Sequence, residues 1–84
     1  VALCEDAIRR RGPHAAAFHL LGVIAQARDD PARAEQWHGK AVFLDAQHEE
    51  SLLALALLAE RRGDPTAAER FRRRARRARR AKEA

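Results

Sequence analysis

Phe18-His19-Leu20-Leu21-Gly22-Val23-Ile24-Ala25-Gln26-Ala27-Arg28-Asp29-Asp30-Pro31 is answered 34 residues later by Leu52-Leu53-Ala54-Leu55-Ala56-Leu57-Leu58-Ala59-Glu60-Arg61-Arg62-Gly63-Asp64-Pro65. At that shift Leu21 falls on Leu55, Ala25 on Ala59, Arg28 on Arg62, and Asp30-Pro31 on Asp64-Pro65. Ala34-Glu35 then meets Ala68-Glu69, Ala41 meets Ala75, and Trp37 meets Phe71. Coincident alanines mean little in an Ala-rich chain, but a repeated Asp-Pro pair with an aromatic at a fixed distance is hard to obtain by chance. The period marks an internal repeat.

Each unit reads as two helices. Phe18, Leu21, Gly22 and Ala25 recur at three- and four-residue steps, which predicts a helix from about Ala15 to Arg28. Asp30 is a good N-cap, and Pro31 suits the first turn, where its missing N–H costs nothing. The next helix runs to about Leu44, with Ala34, Trp37, Ala41 and Leu44 on one stripe, and Asp45-Ala46-Gln47-His48 makes a polar turn. The second unit repeats the scheme. A helix over residues 49–62 turns Leu52, Leu55, Ala56 and Ala59 inward, Gly63 stops it in the left-handed conformation, and a last helix carries Phe71, Ala75 and Ala78. Upstream, Leu3, Ala7 and Ile8 align with Trp37, Ala41 and Val42. Residues 1–13 are therefore expected to be half of an earlier unit, closed by Gly12-Pro13.

These residues resemble the tetratricopeptide repeat, whose pattern is Trp-x2-Leu-Gly-x2-Tyr, then Ala-x3-Phe, then Pro. Here the first unit reads Phe18-x2-Leu21-Gly22-x2-Ala25 and Ala34-x3-His38, and the second reads Leu52-x2-Leu55-Ala56-x2-Ala59 and Ala68-x3-Arg72. His38 and Arg72 depart from the Phe place, with Trp37 and Phe71 one residue earlier. The resemblance implies an all-α fold, a right-handed superhelical stack of about five helices forming one domain over 1–84. Its parts are a half repeat (1–13), a full repeat (14–48) and a second repeat with a basic capping helix (49–84). A narrower likeness begins at Lys40-Ala41-Val42-Phe43-Leu44-Asp45 and continues through His48-Glu49-Glu50-Ser51-Leu52 to Glu60-Arg61-Arg62-Gly63-Asp64. It is similar to the repeat segment that follows the catalytic domain in some bacterial CheR-type chemotaxis receptor methyltransferases. Leu3-Cys4-Glu5, Arg11-Gly12-Pro13 and Phe18-His19-Leu20-Leu21-Gly22 fit the same group. That likeness implies a parent enzyme moving a methyl group from S-adenosylmethionine to receptor glutamates. The appended repeats would dock a chemoreceptor, another protein or the catalytic domain.

Composition narrows the function. Apolar residues make up 46% of the 84 and charged residues 35%, the balance of a folded domain, and aromatics only 5%. The chain is too short for most self-sufficient enzymes, no apolar run would span a bilayer, and no secretory signal opens it. Its abrupt start inside an apolar pattern (Val1, Leu3, Ala7, Ile8) suggests a piece of a longer protein. Those side chains, if exposed, leave homo-oligomerisation open. The single cysteine, Cys4, has no disulfide or zinc partner and reads as a packing residue, which suits a reducing cytoplasm. His14, His19, His38 and His48 include no i, i+4 pair, so ordinary surface or half-buried histidines are expected and no metal site. The four glycines stand singly at Gly12, Gly22, Gly39 and Gly63, so no phosphate loop or cofactor site is expected. The chain itself reads as non-catalytic.

The expected working surface is a groove lined by the first helix of each unit. It would carry Ala16, His19, Val23 and Gln26 from one, and Glu50, Leu53, Leu57, Glu60 and Arg61 from the next. Repeats that clamp a C-terminal carboxylate need Lys and Asn where His19 and Val23 stand, so that clamp is missing. What remains is an apolar strip with acidic margins, suited to an amphipathic helix. A neighbouring helix of the parent protein could equally cover Leu53 and Leu57. The net charge of +5 comes from the last helix, where nine basic residues of 65–84 face only Glu69 and Glu83. Arg70, Arg73, Arg74, Arg77 and Arg80 read first as a solvated cap, such as repeat arrays need. An acidic receptor segment, nucleic acid or an anionic membrane surface is the alternative partner, nucleic acid being disfavoured because no stacking aromatics are interleaved. A purely structural spacer is a third reading.

Overall fold

The computed structural model describes residues 14–83, and these hold four helices and no strand. The helices are α1 (Ala15–Ala27), α2 (Pro31–Leu44), α3 (Glu49–Arg61) and α4 (Pro65–Glu83). The expected half unit over 1–13, with Cys4, lies outside the described residues.

The two Asp-Pro restarts behave alike. Asp30 Oδ1 accepts from the Arg33 N–H at 3.2 Å, and Asp64 Oδ1 accepts from the Ala67 N–H at 3.1 Å. Each satisfies one of the donors that a helix start leaves without a partner. The helix ends preceding them also match. The Asp30 N–H reaches the Ala25 carbonyl at 2.9 Å and the Asp29 N–H reaches Gln26 at 3.0 Å. Asp64 to Ala59 (2.9 Å) and Gly63 to Glu60 (3.0 Å) repeat the pattern. This paired closure requires a left-handed residue at its pivot. Gly63 supplies it with φ of +81°, and Asp29 supplies it in the first unit with φ of +57°. Asp tolerates that region better than most residues because its short polar side chain can bond locally.

α1 packs on α2 and α3 on α4 as two hairpins, and α2 against α3 joins them. The interior is built mostly from the smallest apolar side chain. Ala17, Ala25, Ala34, Ala41, Ala56, Ala59, Ala67, Ala68, Ala75 and Ala78 are buried, against Leu21, Val42, Leu52, Leu55 and Leu58 among larger ones. Small residues let helix axes approach, and larger ones fill the gaps between. Val42, Leu52, Leu55, Ala75 and Ala78 form one cluster spanning α2, α3 and α4, and Ala25, Ala34 and Leu58 form another at the α1–α2–α3 junction. Leu44, expected on the inward stripe, is 44% exposed because α2 ends there and its last turn reaches past its neighbours.

Trp37 borders the second cluster and is only half-buried. Its ring stacks on Phe18 at 5.7 Å between centroids and 19° between planes. Lys40 Nζ lies 5.0 Å from the Trp37 centroid, a cation–π contact. A half-buried stacked ring contributes less than a sealed one. Trp37→Ala is expected to destabilise the fold by about 2–3 kcal/mol, below the usual range for a core aromatic. Urea unfolding followed by circular dichroism measures this; an unchanged midpoint would show that the ring does not hold the junction.

Candidate functional site

Three of the four histidines, far apart in sequence, meet where α1, α2 and the start of α3 converge. The His19 and His38 rings lie 4.9 Å apart between centroids, and His19 and His48 lie 5.2 Å apart. His38 is completely buried, as is Ser51 beside it. The expectation of surface or half-buried histidines therefore fails for His38, and the helices gather what the spacing seemed to scatter. His14 stands exposed at the start of α1.

Hydrogen bonds order the cluster. His38 Nε2 donates to Gln26 Oε1 at 2.8 Å, which leaves His38 Nδ1 as an acceptor. His19 Nδ1 lies 3.2 Å from His38 Nδ1 and 3.0 Å from Ser51 Oγ, so its N–H serves both. His48 caps α3, its Nδ1 accepting from the Ser51 N–H at 3.4 Å. Accepting at Nδ1 while donating at Nε2 requires His38 to be neutral. Burial first, and then the neighbouring His19 and His48, push His38 down to about 4. Burial and His48 also lower His19, with Glu50 pulling the other way.

A buried imidazole between two helices needs space, and Gly22 provides it. A Cβ at Gly22 would lie 2.5 Å from His38 Nε2, 2.6 Å from Cε1 and 2.7 Å from Cδ2. The second unit solves the same problem differently. There Ala56 stands at the Gly22 place, and Arg72 Nη2 reaches Glu60 Oε2 at 2.6 Å. Positions 26 and 38 thus correspond to 60 and 72, joined by a neutral bond in one hairpin and an ion pair in the other. The polar residues that break the repeat pattern at the Phe place are these ties.

The expected groove residues fall into two groups. Val23, Leu53 and Leu57 are 43%, 48% and 40% exposed, and Glu50 and Arg61 are exposed with them. His19 and Gln26 are half-buried and belong to the histidine cluster, and Glu60 is occupied by Arg72. No group of three or more His, Cys, Asp or Glu among the described residues is arranged to hold a metal ion. No described helix is long and apolar enough to cross a membrane.

This is a small all-helical body of paired hairpins with a polar centre and exposed leucines. The chain is 38% identical over 74 residues to a protein of Pseudomonas aeruginosa named probable biofilm formation methyltransferase WspC. It is 34% identical over 75 residues to the protein of the same name in Pseudomonas putida. These matches cover 88% and 89% of the chain but 18% of either relative. The chain thus corresponds to less than a fifth of the methyltransferases it resembles. No family model matches it, and no solved structure does.

Gly22→Ala tests the close approach. Alanine gains up to about 1 kcal/mol in helix propensity, but displacing a buried, bonded ring costs about 1–3 kcal/mol. The expected result is a lower unfolding midpoint and loss of the His38–Gln26 bond, seen as a changed His38 side-chain resonance. An unmoved resonance would show that the ring does not occupy this space.

Proposed function

We propose that this chain is a docking module of the tetratricopeptide kind, carried by a methyltransferase of the chemotaxis type and engaging a protein partner through α1 and α3. The observation that carries this reading is the trio of exposed apolar side chains, Val23, Leu53 and Leu57, on helices whose opposite faces are filled. The two hairpins support it, because tetratricopeptide units are helix pairs that stack. The relatives support the context, since both are named methyltransferases of which the matching part is under a fifth. Methyl transfer is assigned to other parts of such a protein, and these residues to bringing the enzyme to its target. A chemoreceptor segment or the enzyme's own catalytic domain fits the surface if it offers a helix with an apolar stripe and a basic edge, the stripe over Leu53 and Leu57 and the edge near Glu50.

Specific arginines favour a second reading. Arg72, Arg73, Arg76 and Arg79 pair with Glu60, Glu69, Glu69 and Glu83. Arg70, Arg74 and Arg77 are exposed and make no ion pair with another described residue. They follow one another at four- and three-residue steps, a basic stripe that an anionic surface would meet.

Leu57→Asp separates the two readings. In a titration with the matched chemoreceptor or catalytic domain, it is expected to weaken binding at least tenfold, a loss of about 1.4 kcal/mol, with circular dichroism unchanged. Binding by the apolar surface changes little with salt. Contact with phosphates through these three arginines falls by about fortyfold between 50 and 200 mM salt. Unaltered affinity in Leu57→Asp, with a steep salt dependence, would transfer the function to α4.

A further inference from the structure

We propose that His19 and His38, packed against His48 at the cap of α3, form an acid-sensitive lock between the two hairpins: with His19 and His38 uncharged, α1 and α2 are held against the start of α3, and protonation of these two residues parts the hairpins. The geometry carries this. The three rings come from three places in the chain and pack at 4.9 and 5.2 Å. The bond that crosses between hairpins, from His19 Nδ1 to Ser51 Oγ, shares its hydrogen with the bond from His19 Nδ1 to His38 Nδ1 inside the first hairpin. A second proton placed between the two Nδ1 atoms would set N–H against N–H. The cluster must then rearrange its tautomers around a buried cation or open to water.

Little nearby charge would relieve that cation. α1 contributes His19 and the neutral amide of Gln26, and α2 contributes His38. α3 contributes His48 at its cap, the hydroxyl of Ser51, and Glu50 as the one carboxylate acting on His19. Two other carboxylates of α2 and α3 are engaged elsewhere, Glu35 by Arg62 at 2.8 Å and Glu60 by Arg72. The second hairpin shows the contrast, because its equivalent tie is already an ion pair of a permanently charged arginine and has no imidazole to titrate. Acid sensitivity is thus built into one hairpin and its seam with the next.

The sign follows from linkage. Both His19 and His38 are held below their ordinary value in the folded chain, so the parted or unfolded form binds more protons. The lock is complete above the usual imidazole range near 6.5 and weakens as pH falls from there toward about 4. For each proton taken up on parting, the open-to-closed ratio rises about tenfold per pH unit. Opening the seam also changes the spacing of the exposed leucines on α1 and α3. That consequence for docking rests on the function proposed above, whereas the lock does not.

The test uses the 84-residue chain without a partner. Trp37, the single tryptophan, sits at the α1–α2–α3 junction and reports on it by fluorescence. Between about pH 7.5 and about pH 5, where carboxylates stay ionised, the expected result is progressive loss of stability with Trp37 emission shifting before helicity is lost. Proton NMR of the imidazoles is expected to show His38 of the closed form still neutral at about pH 5, below its ordinary range. His14→Gln is expected to leave the pH dependence unchanged. His19→Gln keeps the His38–Gln26 bond and is expected to reduce the dependence to that of one proton, about tenfold per pH unit. A His38 titration in the ordinary range with the fold intact, or stability flat across this window, overturns the lock. Neither result depends on whether Leu57→Asp affects binding, so the docking proposal and the lock fail separately.

Discussion

The approach of α1 to α2 at Gly22 is the constraint from which the rest of the first hairpin follows. Any side chain there meets the His38 ring, so the ring is confined between a glycine, the Gln26 amide and the His19 imidazole. Confinement makes the imidazole neutral, neutrality permits the shared hydrogen with Ser51, and that hydrogen ties the first hairpin to the second. A polar group buried this completely is tolerable only when every hydrogen-bonding site is engaged. No buried side-chain nitrogen or oxygen among the described residues lacks a partner.

The two hairpins show how one backbone plan accepts different chemistry at matching places. Alanine replaces glycine, glutamate replaces glutamine and arginine replaces histidine, and the tie survives as an ion pair. The exchange is not energetically neutral. Arg72 is half-exposed, where water screens the pair and its contribution is small. His38 is sealed, where a lost partner would leave an unsatisfied polar atom. The first hairpin therefore depends on its polar centre far more than the second, which relies on Phe71 packed against Ala59, Ala67 and Ala68.

Much of the helical plan was legible in the repeat. The Asp-Pro restarts, the inward alanines and the left-handed Gly63 all follow from local chemistry, and the helices begin and end within about a residue of where the spacing puts them. Asp29 escaped notice because a non-glycine at positive φ has no compositional signature, although superposing the units sets it on Gly63. The histidine cluster was hidden for a different reason. Metal and catalytic motifs are sought at short spacings along one helix, whereas these rings meet across helices 19 and 29 residues apart in sequence. A signal did exist. His38 and Arg72 occupy the place where the repeat pattern has a phenylalanine, and Gln26 and Glu60 stand opposite at the same offset. Two polar residues replacing an apolar one at matching positions, each with a matched polar partner, indicate a tie between paired helices and not a tolerated defect.

An interior made mostly of alanines also has a mechanical consequence. Each alanine contact is shallow, so the hairpins interlock by close approach and not by deep interdigitation of large side chains. The join between the hairpins adds to this one exposed bridge, Arg62 to Glu35, and the bond from His19 to Ser51. Val42 against Leu52 and Leu55, and Trp37 beside Leu58, complete the join. Packing is closer within each helix pair than between the pairs, so strain across the stack falls on those few side chains before it reaches either hairpin.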